Sequence, residues 1–176
     1  MHIRTFSLPS VIQSQSSDLI NVSRDQLNGL KIREGDEDYI IGELALTEGK
    51  NPYKAINSSV DDLDYRLLSK AALLTAAGMV DEPMVITTGF PYSTINLNRK
   101  AATDYYNQLE SVTYDARPFG GSGHLVQPLS VNRVEVIPEL IGGIISMRRG
   151  EEARTGNFFL VSLGYGTVEI GLSTDE

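Results

Sequence analysis

Asn157-Phe-Phe-Leu-Val-Ser-Leu-Gly-Tyr-Gly-Thr-Val-Glu-Ile-Gly-Leu172 is two strand patterns joined by a glycine turn. Phe158 to Val161 is a continuous apolar run, as predicted for a strand covered on both faces. On the return, Val168, Ile170 and Leu172 alternate with polar or small residues. Between the strands, Gly164 and Gly166 admit positive φ and let backbone N–H groups come close to an anion. A lone Gly-x-Gly is also the turn of any hairpin, so the neighbouring motifs decide the reading.

Working back along the chain, Val131 to Pro138 alternates as a strand and stops at the proline. Glu139 then opens an apolar helix that carries Gly142 and Gly143. A glutamate in a first turn complements the helix dipole by about 0.3–1 kcal/mol. The paired glycines oppose helix propensity by about 1 kcal/mol each and point to a close approach. Met84 to Pro91 is a strand running into Gly89 and Pro91, and after Arg99-Lys-Ala-Ala102 a helix sets Ala102, Tyr105, Tyr106 and Leu109 on one face. Asp61, Asp62 and Asp64 crowd the start of a helical stripe through Leu63, Leu67, Leu68, Ala71 and Leu74 that closes at Gly78. These acids suit the first turn of a helix, and a divalent-cation site is the alternative. His2 to Pro9 reads as a first strand, and the Ser/Gln-rich run Ser10 to Ser17 as a loop or flap. Ser111 to Gln127 reads as two short strands around a glycine-rich tip, with His124 a surface residue.

In this order the motifs resemble the actin-like ATPases. The second phosphate loop of that superfamily is D-x-G-x-x-T-x-D between two strands, and Ser162, Gly164, Thr167 and Glu169 occupy its positions. The glycine and threonine agree. Serine replaces an aspartate that helps organise the metal and the attacking water, and Glu169 is a longer carboxylate. Asp38 to Leu44, with Ile41, Gly42 and Ala45, resembles the entry to the family's small subdomain. Met84 to Pro91 resembles its strand-glycine-proline element and Pro138-Glu139 its V-x-P-E element, most closely in plasmid-segregation proteins of the ParM type and archaeal actin-like proteins.

The resemblance implies an α/β, ribonuclease H-like domain, a mixed sheet flanked by helices. Residues 1–176 would be an incomplete first domain, with a small-subdomain insert at about 18–60. It implies Glu139 as the catalytic residue that orients water, and Ser162, Gly164, Tyr165, Gly166, Thr167 and Glu169 as the nucleotide-binding set, with ATP and Mg2+ as cofactors. Function follows as part of an adenine-nucleotide-binding, filament-forming protein of plasmid-segregation or cytoskeletal type. It would be an ATPase only when another domain or chain completes the site. Partners implied are a second copy or a complementary actin-like chain, and an adaptor protein. The D-x-G-x-x-x-K hairpin of the family does not occur before His2. Loss of two or three hydrogen bonds to phosphate would remove on the order of 5 kcal/mol, or three to four decades of affinity. Two other readings stay open: a non-hydrolysing actin-like scaffold, and an unrelated α/β binding domain.

Composition narrows the classes. The 176 residues, 41% hydrophobic, fit one core. A formal charge of −8 without any Lys/Arg-rich run argues against direct nucleic-acid binding. The chain has no cysteine, which excludes disulfides and thiolate metal sites. With no signal-peptide pattern and no apolar run near the roughly 18 residues of a membrane span, a cytoplasmic location is expected. Only His2 and His124 are present, so a histidine-centred triad is not expected.

Overall fold

The computed structural model describes residues 4–15, 17–19, 28–55, 59–79, 82–151, 153–163 and 168–175. The chain divides into two compact units, Met1–Met84 with Leu109–Val131, and Val85–Gln108 with Asn132–Glu176.

The first unit is built on six strands: β1 (Val11–Ser14), β2 (Leu30–Glu34), β3 (Glu37–Ile41), β4 (Tyr53–Lys54), β6 (Ser111–Asp115) and β7 (His124–Pro128). Their order across the sheet is β4-β1-β3-β2-β6-β7. The pairs β1 to β3, β1 to β4, β2 to β3, β2 to β6 and β6 to β7 are all antiparallel. Glu34 faces Glu37, so Gly35-Asp36 is a two-residue turn, and Gly35 takes the φ of 60° that such turns require. Gly42, at φ 79°, redirects the chain from β3 into the short helix α1 (Glu43–Glu48). Helix α2 (Leu63–Ala77) lays Leu67, Ala71 and Leu74 on one face of the sheet, against Ile12, Leu30, Ile32, Tyr39, Ile41 and Val112. On the opposite face, Ile40 packs with Leu44 and Ala45 of α1 and with Leu19. β3 is therefore buried from both sides.

The sequence misplaces the first strand. Residues 4–9 have no regular structure and His2 lies outside the described residues, while β1 runs through the Ser/Gln-rich segment read as a loop. Composition is overruled because β1 has a partner on each edge: Ile12 pairs with Ile41 and with Tyr53, and its side chain is fully buried. The polar neighbours are absorbed locally, as Gln13 Oε1 accepts the Asn51 N–H at 2.8 Å.

The second unit holds α3 (Ile95–Gln108), α4 (Glu139–Arg149) and β9 (Phe158–Leu163) paired antiparallel with β10 (Val168–Ser173). β5 (Met84–Phe90) and β8 (Val131–Pro138) pair as a further two-stranded sheet, with their first residues in the first unit. α3 begins four residues before Arg99, so Arg99 to Ala102 lies inside the helix; its buried stripe is Ile95, Ala102 and Tyr106.

The expectation that Phe158 to Val161 is covered on both faces fails. Phe158, Leu160 and Ser162 are half-buried, whereas Phe159, Val161 and Leu163, with Val168, Ile170 and Leu172 opposite, are 53–78% exposed. α4 packs on one side only. A Cβ on Gly143 would lie 2.6 Å from Leu160 Cδ2, and one on Gly171 would lie 3.2 Å from Leu140 Cδ1 and Ile144 Cδ1. At Gly143 helix and hairpin therefore approach too closely to admit a Cβ without a shift of Leu160, while Gly142 faces open space. Arg148 fastens the far end of α4, donating to Ser173 Oγ at 2.8 Å and standing 4.6 Å over the Phe158 ring.

Candidate functional site

The site lies within the second unit, where α4 begins. β8 ends at Pro138, which holds an extended backbone as the N-cap (ψ 139°), and α4 starts on Glu139. That side chain lies over β5, because a Cβ on Gly89 would come within 3.1 Å of Glu139 Cγ and 3.4 Å of its Cα. Gly89 is therefore the small residue that lets the helix start sit on the strand end. This is a packing reason for a glycine that the sequence marked only as punctuation.

Glu169 on β10 belongs to the same cluster. Its Oε1 accepts the backbone N–H of Tyr92 at 2.8 Å, just past the Gly89–Pro91 strand end. Its Oε2 is shielded from solvent and has no hydrogen-bond partner among the described residues. Ser162 is the cross-strand neighbour of Glu169, so both side chains leave the hairpin on the face that also carries Leu160 and Gly171 and meets α4. Loss of water around the Glu139 carboxyl, and then the charge of Glu169, push the Glu139 pKa above the ordinary glutamate value. Glu169 is thus near enough to oppose the ionisation of Glu139, and neither carboxylate is paired with a cation among the described ion pairs.

Glu169 also borders a cleft of about 440 Å3, whose wall includes Tyr92, Ser93, Pro138, Leu140, Ile144 and Gly171. Neither Glu139 nor Ser162 lines this cleft, and the wall is mostly apolar. Of the residues assigned to a nucleotide, Ser162 and Glu169 are cross-strand neighbours and Glu169 acts on the Glu139 carboxyl, while Gly164, Tyr165, Gly166 and Thr167 lie outside the described residues. Tyr92 is the neighbour that sequence reading missed. Its contribution is a backbone N–H, which any residue type except proline would supply.

Other charged groups resolve differently. Asp61, Asp62 and Asp64 do not converge: Asp62 is the N-cap of α2 without a side-chain capping bond, and Asp64 accepts the Tyr53 hydroxyl at 2.8 Å. In the first unit Asp38, Asp115 and His124 bring ligand atoms within 4.8 Å of one another. An ammonium already fills that position. Lys31 Nζ is 2.9 Å from Asp115 and 3.5 Å from Asp38, and the Lys31 and Asp115 side chains are fully buried. Burial alone would raise the Asp115 carboxyl, but hydrogen bonds from Arg117 and Lys31 hold it well below the usual carboxylate range. His124, expected at the surface, opens β7 and places Nε2 2.9 Å from Asp38 Oδ1.

Among the described residues, no helix is long and apolar enough to cross a membrane. The comparison with curated proteins returns no match. Solved structures similar to this chain include the apo pSK41 ParM protein (16% identity, 96% of this chain and 55% of that one, TM-score 0.63). The native archaeal actin homologue Ta0583 gives 19% identity over 95% and 49%, with a TM-score of 0.65. A non-polymerisable quadruple mutant of pCBH ParM gives 17% over 94% and 50%, also at 0.65. The chain spans about half the length of these structures, and at such identities they establish the fold, which is α/β and actin-like. The family model described as the N-terminal domain of actin-like proteins matches residues 2–142, which removes the reading as an unrelated α/β domain: the chain belongs to the actin-like proteins.

Proposed function

We propose that this chain is the first domain of an actin-like, adenine-nucleotide-binding protein that forms filaments, of the plasmid-segregation or cytoskeletal kind, and that it works in the cytoplasm with a second domain or chain completing its nucleotide site. The observation that carries the reading is that Glu139, against Gly89, and Glu169, held by the Tyr92 N–H, both adjoin the end of β5 where β8 turns into α4. The archaeal homologue Ta0583 is also known as a complex with ADP, at 20% identity, which supports an adenine nucleotide here.

The donor set suits a divalent cation. Glu169 offers a shielded carboxylate oxygen without a partner, and Glu139 supplies a second carboxylate whose ionisation its neighbour opposes. A bound Mg2+ would relieve that repulsion and neutralise phosphate charge. The chain's own contributions follow from position. The backbone donors of residues 164–167 would cradle phosphate oxygens. Glu169 would be held in place by the Tyr92 N–H. Glu139 would orient the attacking water, and Ser162 would contact metal-bound water without adding a charge. Without the cation, two carboxylates would repel a triphosphate, so ATP binding should depend on Mg2+.

The test is ATP titration with and without Mg2+, on this chain together with the second half of an actin-like protein, followed by phosphate release. Mg2+-dependent binding with turnover lowered roughly 100-fold or more by Glu139→Gln is expected, and Ser162→Asp should raise turnover. Binding that ignores Mg2+, or a Glu139→Gln variant with unchanged turnover, would overturn the assignment. Ser162, where the family has an acid, favours a second reading as a non-hydrolysing scaffold acting through protein contacts or an adaptor. Under that reading polymer would form equally with and without nucleotide.

A further inference from the structure

We propose that the turn Pro91-Tyr92-Ser93-Thr94 sets the cation selectivity of the carboxylate site: through the Tyr92 N–H it holds Glu169 as a fixed ligand with one oxygen to give, so that the site takes Mg2+ in preference to Ca2+. This role rests on the cation site of the proposed function.

The donor stands on a firm base. Phe90, which ends β5, is fully buried, and Pro91 is buried after it. The Pro91 carbonyl accepts the N–H groups of Thr94 and Ile95, both at 2.9 Å, and Ile95, 3% exposed, roots the first turn of α3. Tyr92 is by contrast 77% exposed, so its ring points away and its backbone N–H is what the turn brings to Glu169. That N–H meets Oε1 at 2.8 Å, just before α3, where the helix dipole favours a negative group. A charge-assisted bond from a turn anchored on both sides fixes the carboxylate and engages one of its two oxygens. The other, Oε2, is enclosed by this chain's own atoms and has no hydrogen-bond partner among the described residues.

Cations differ in what they ask of such a group. Ca2+ gathers about six to eight oxygens in a flexible shell and gains from a carboxylate that can give both, whereas Mg2+ takes about six at shorter range, keeps several waters and uses one or two carboxylates. A pinned glutamate with a single free oxygen suits Mg2+. Glu139, seated against Gly89 on the same strand end, is the second carboxylate.

The test uses the full chain with Mn2+ as the bound probe, because an octahedral oxygen site also accepts Mn2+, and reads free Mn2+ by electron paramagnetic resonance. Mg2+ should displace bound Mn2+ at a concentration at least about tenfold below Ca2+. Tyr92→Pro deletes the donor and sets proline at the second position of the turn, where its ring fits; the Mg2+ preference should shrink at least about fivefold as Oε1 is freed. Tyr92→Ala keeps the N–H and should keep the preference. A further measurement needs no variant: in hydrogen exchange followed by NMR, the Tyr92 amide should stay protected at saturating Mg2+. Retained Mn2+ with the same Mg2+ preference in Tyr92→Pro and Tyr92→Ala, or a Tyr92 amide that loses protection as Mg2+ binds, would overturn the role of the turn and leave the cation site standing. Mn2+ bound no better by the unaltered chain than by Glu169→Gln would overturn both.

Discussion

The two sheets answer the same physical demands in opposite ways. In the six-stranded sheet β3 is buried on both faces, and its charged group is closed, with Asp115 held by Lys31 and by Arg117 at 2.7–2.8 Å. In the second unit one face of the β9–β10 hairpin is covered by α4 and the other by nothing described, and Glu169 on β10 opposes the ionisation of Glu139 on α4, with no cation paired to either among the described ion pairs. A closed charge cluster with a covered sheet is what stability requires. An open carboxylate pair beside an uncovered apolar face costs stability and leaves valences for something else to fill.

The largest effect should come from opening the closed cluster. Asp115→Ala would leave the Lys31 ammonium buried without its nearest partner and should cost about 3–5 kcal/mol in urea unfolding. Removing both charges as Lys31→Met with Asp115→Leu should cost clearly less. Equal losses would mean that the charges contribute little.

Next comes the contrast between core and open face. Ile32→Ala in the six-stranded sheet should cost about 2–5 kcal/mol, whereas Ile170→Ala on the outer hairpin face should stay within about 0.5 kcal/mol at concentrations where the chain is a monomer. Comparable losses would show the face to be covered.

The glycines of α4 sharpen the comparison on a smaller scale. Gly142→Ala meets nothing and should stabilise by up to about 1 kcal/mol. Gly143→Ala gains the same propensity but drives into Leu160, and should fall short of Gly142→Ala by about 1 kcal/mol or more. Thermal denaturation of the pair decides.

The smallest effect is in acid, where the two clusters respond with opposite sign. Asp115, depressed when folded, contributes stability above its unfolded value of about 3.9 that is lost as pH falls below it. Glu139, raised when folded, favours the native state most fully below about 4.3, and that contribution is lost as pH rises through its higher folded value. Glu139→Gln should therefore flatten the decline of Tm above about pH 4.3 and leave the acid limb in place. A decline unchanged in the variant would remove Glu139 from the account.

How much was legible from sequence differs element by element. Strand, proline and glutamate at 131–139 were readable because period-two alternation and a proline stop are local, and the same holds for α2 and for the hairpin at its observed ends. β1 was misread because its serines and glutamines describe a loop until two neighbouring strands pair with them. Tyr92 was invisible because a backbone donor leaves no mark in the side-chain alphabet. The Lys31 and Asp115 pairing was equally hidden, since nothing near either residue announces a partner on a strand far along the chain.

Sequence alone determined the order of elements from α2 onward, the break at Pro138-Glu139 and the actin-like kinship, all of which rest on short-range periodicity and on residues whose backbone limits are intrinsic. Tertiary structure alone decided which face of β9–β10 is covered, that Glu169 lies close enough to oppose ionisation of Glu139, and that Lys31 sits among the acids of the first sheet. Burial and electrostatics depend on distances between residues remote in the chain, and those distances exist only once the chain has packed.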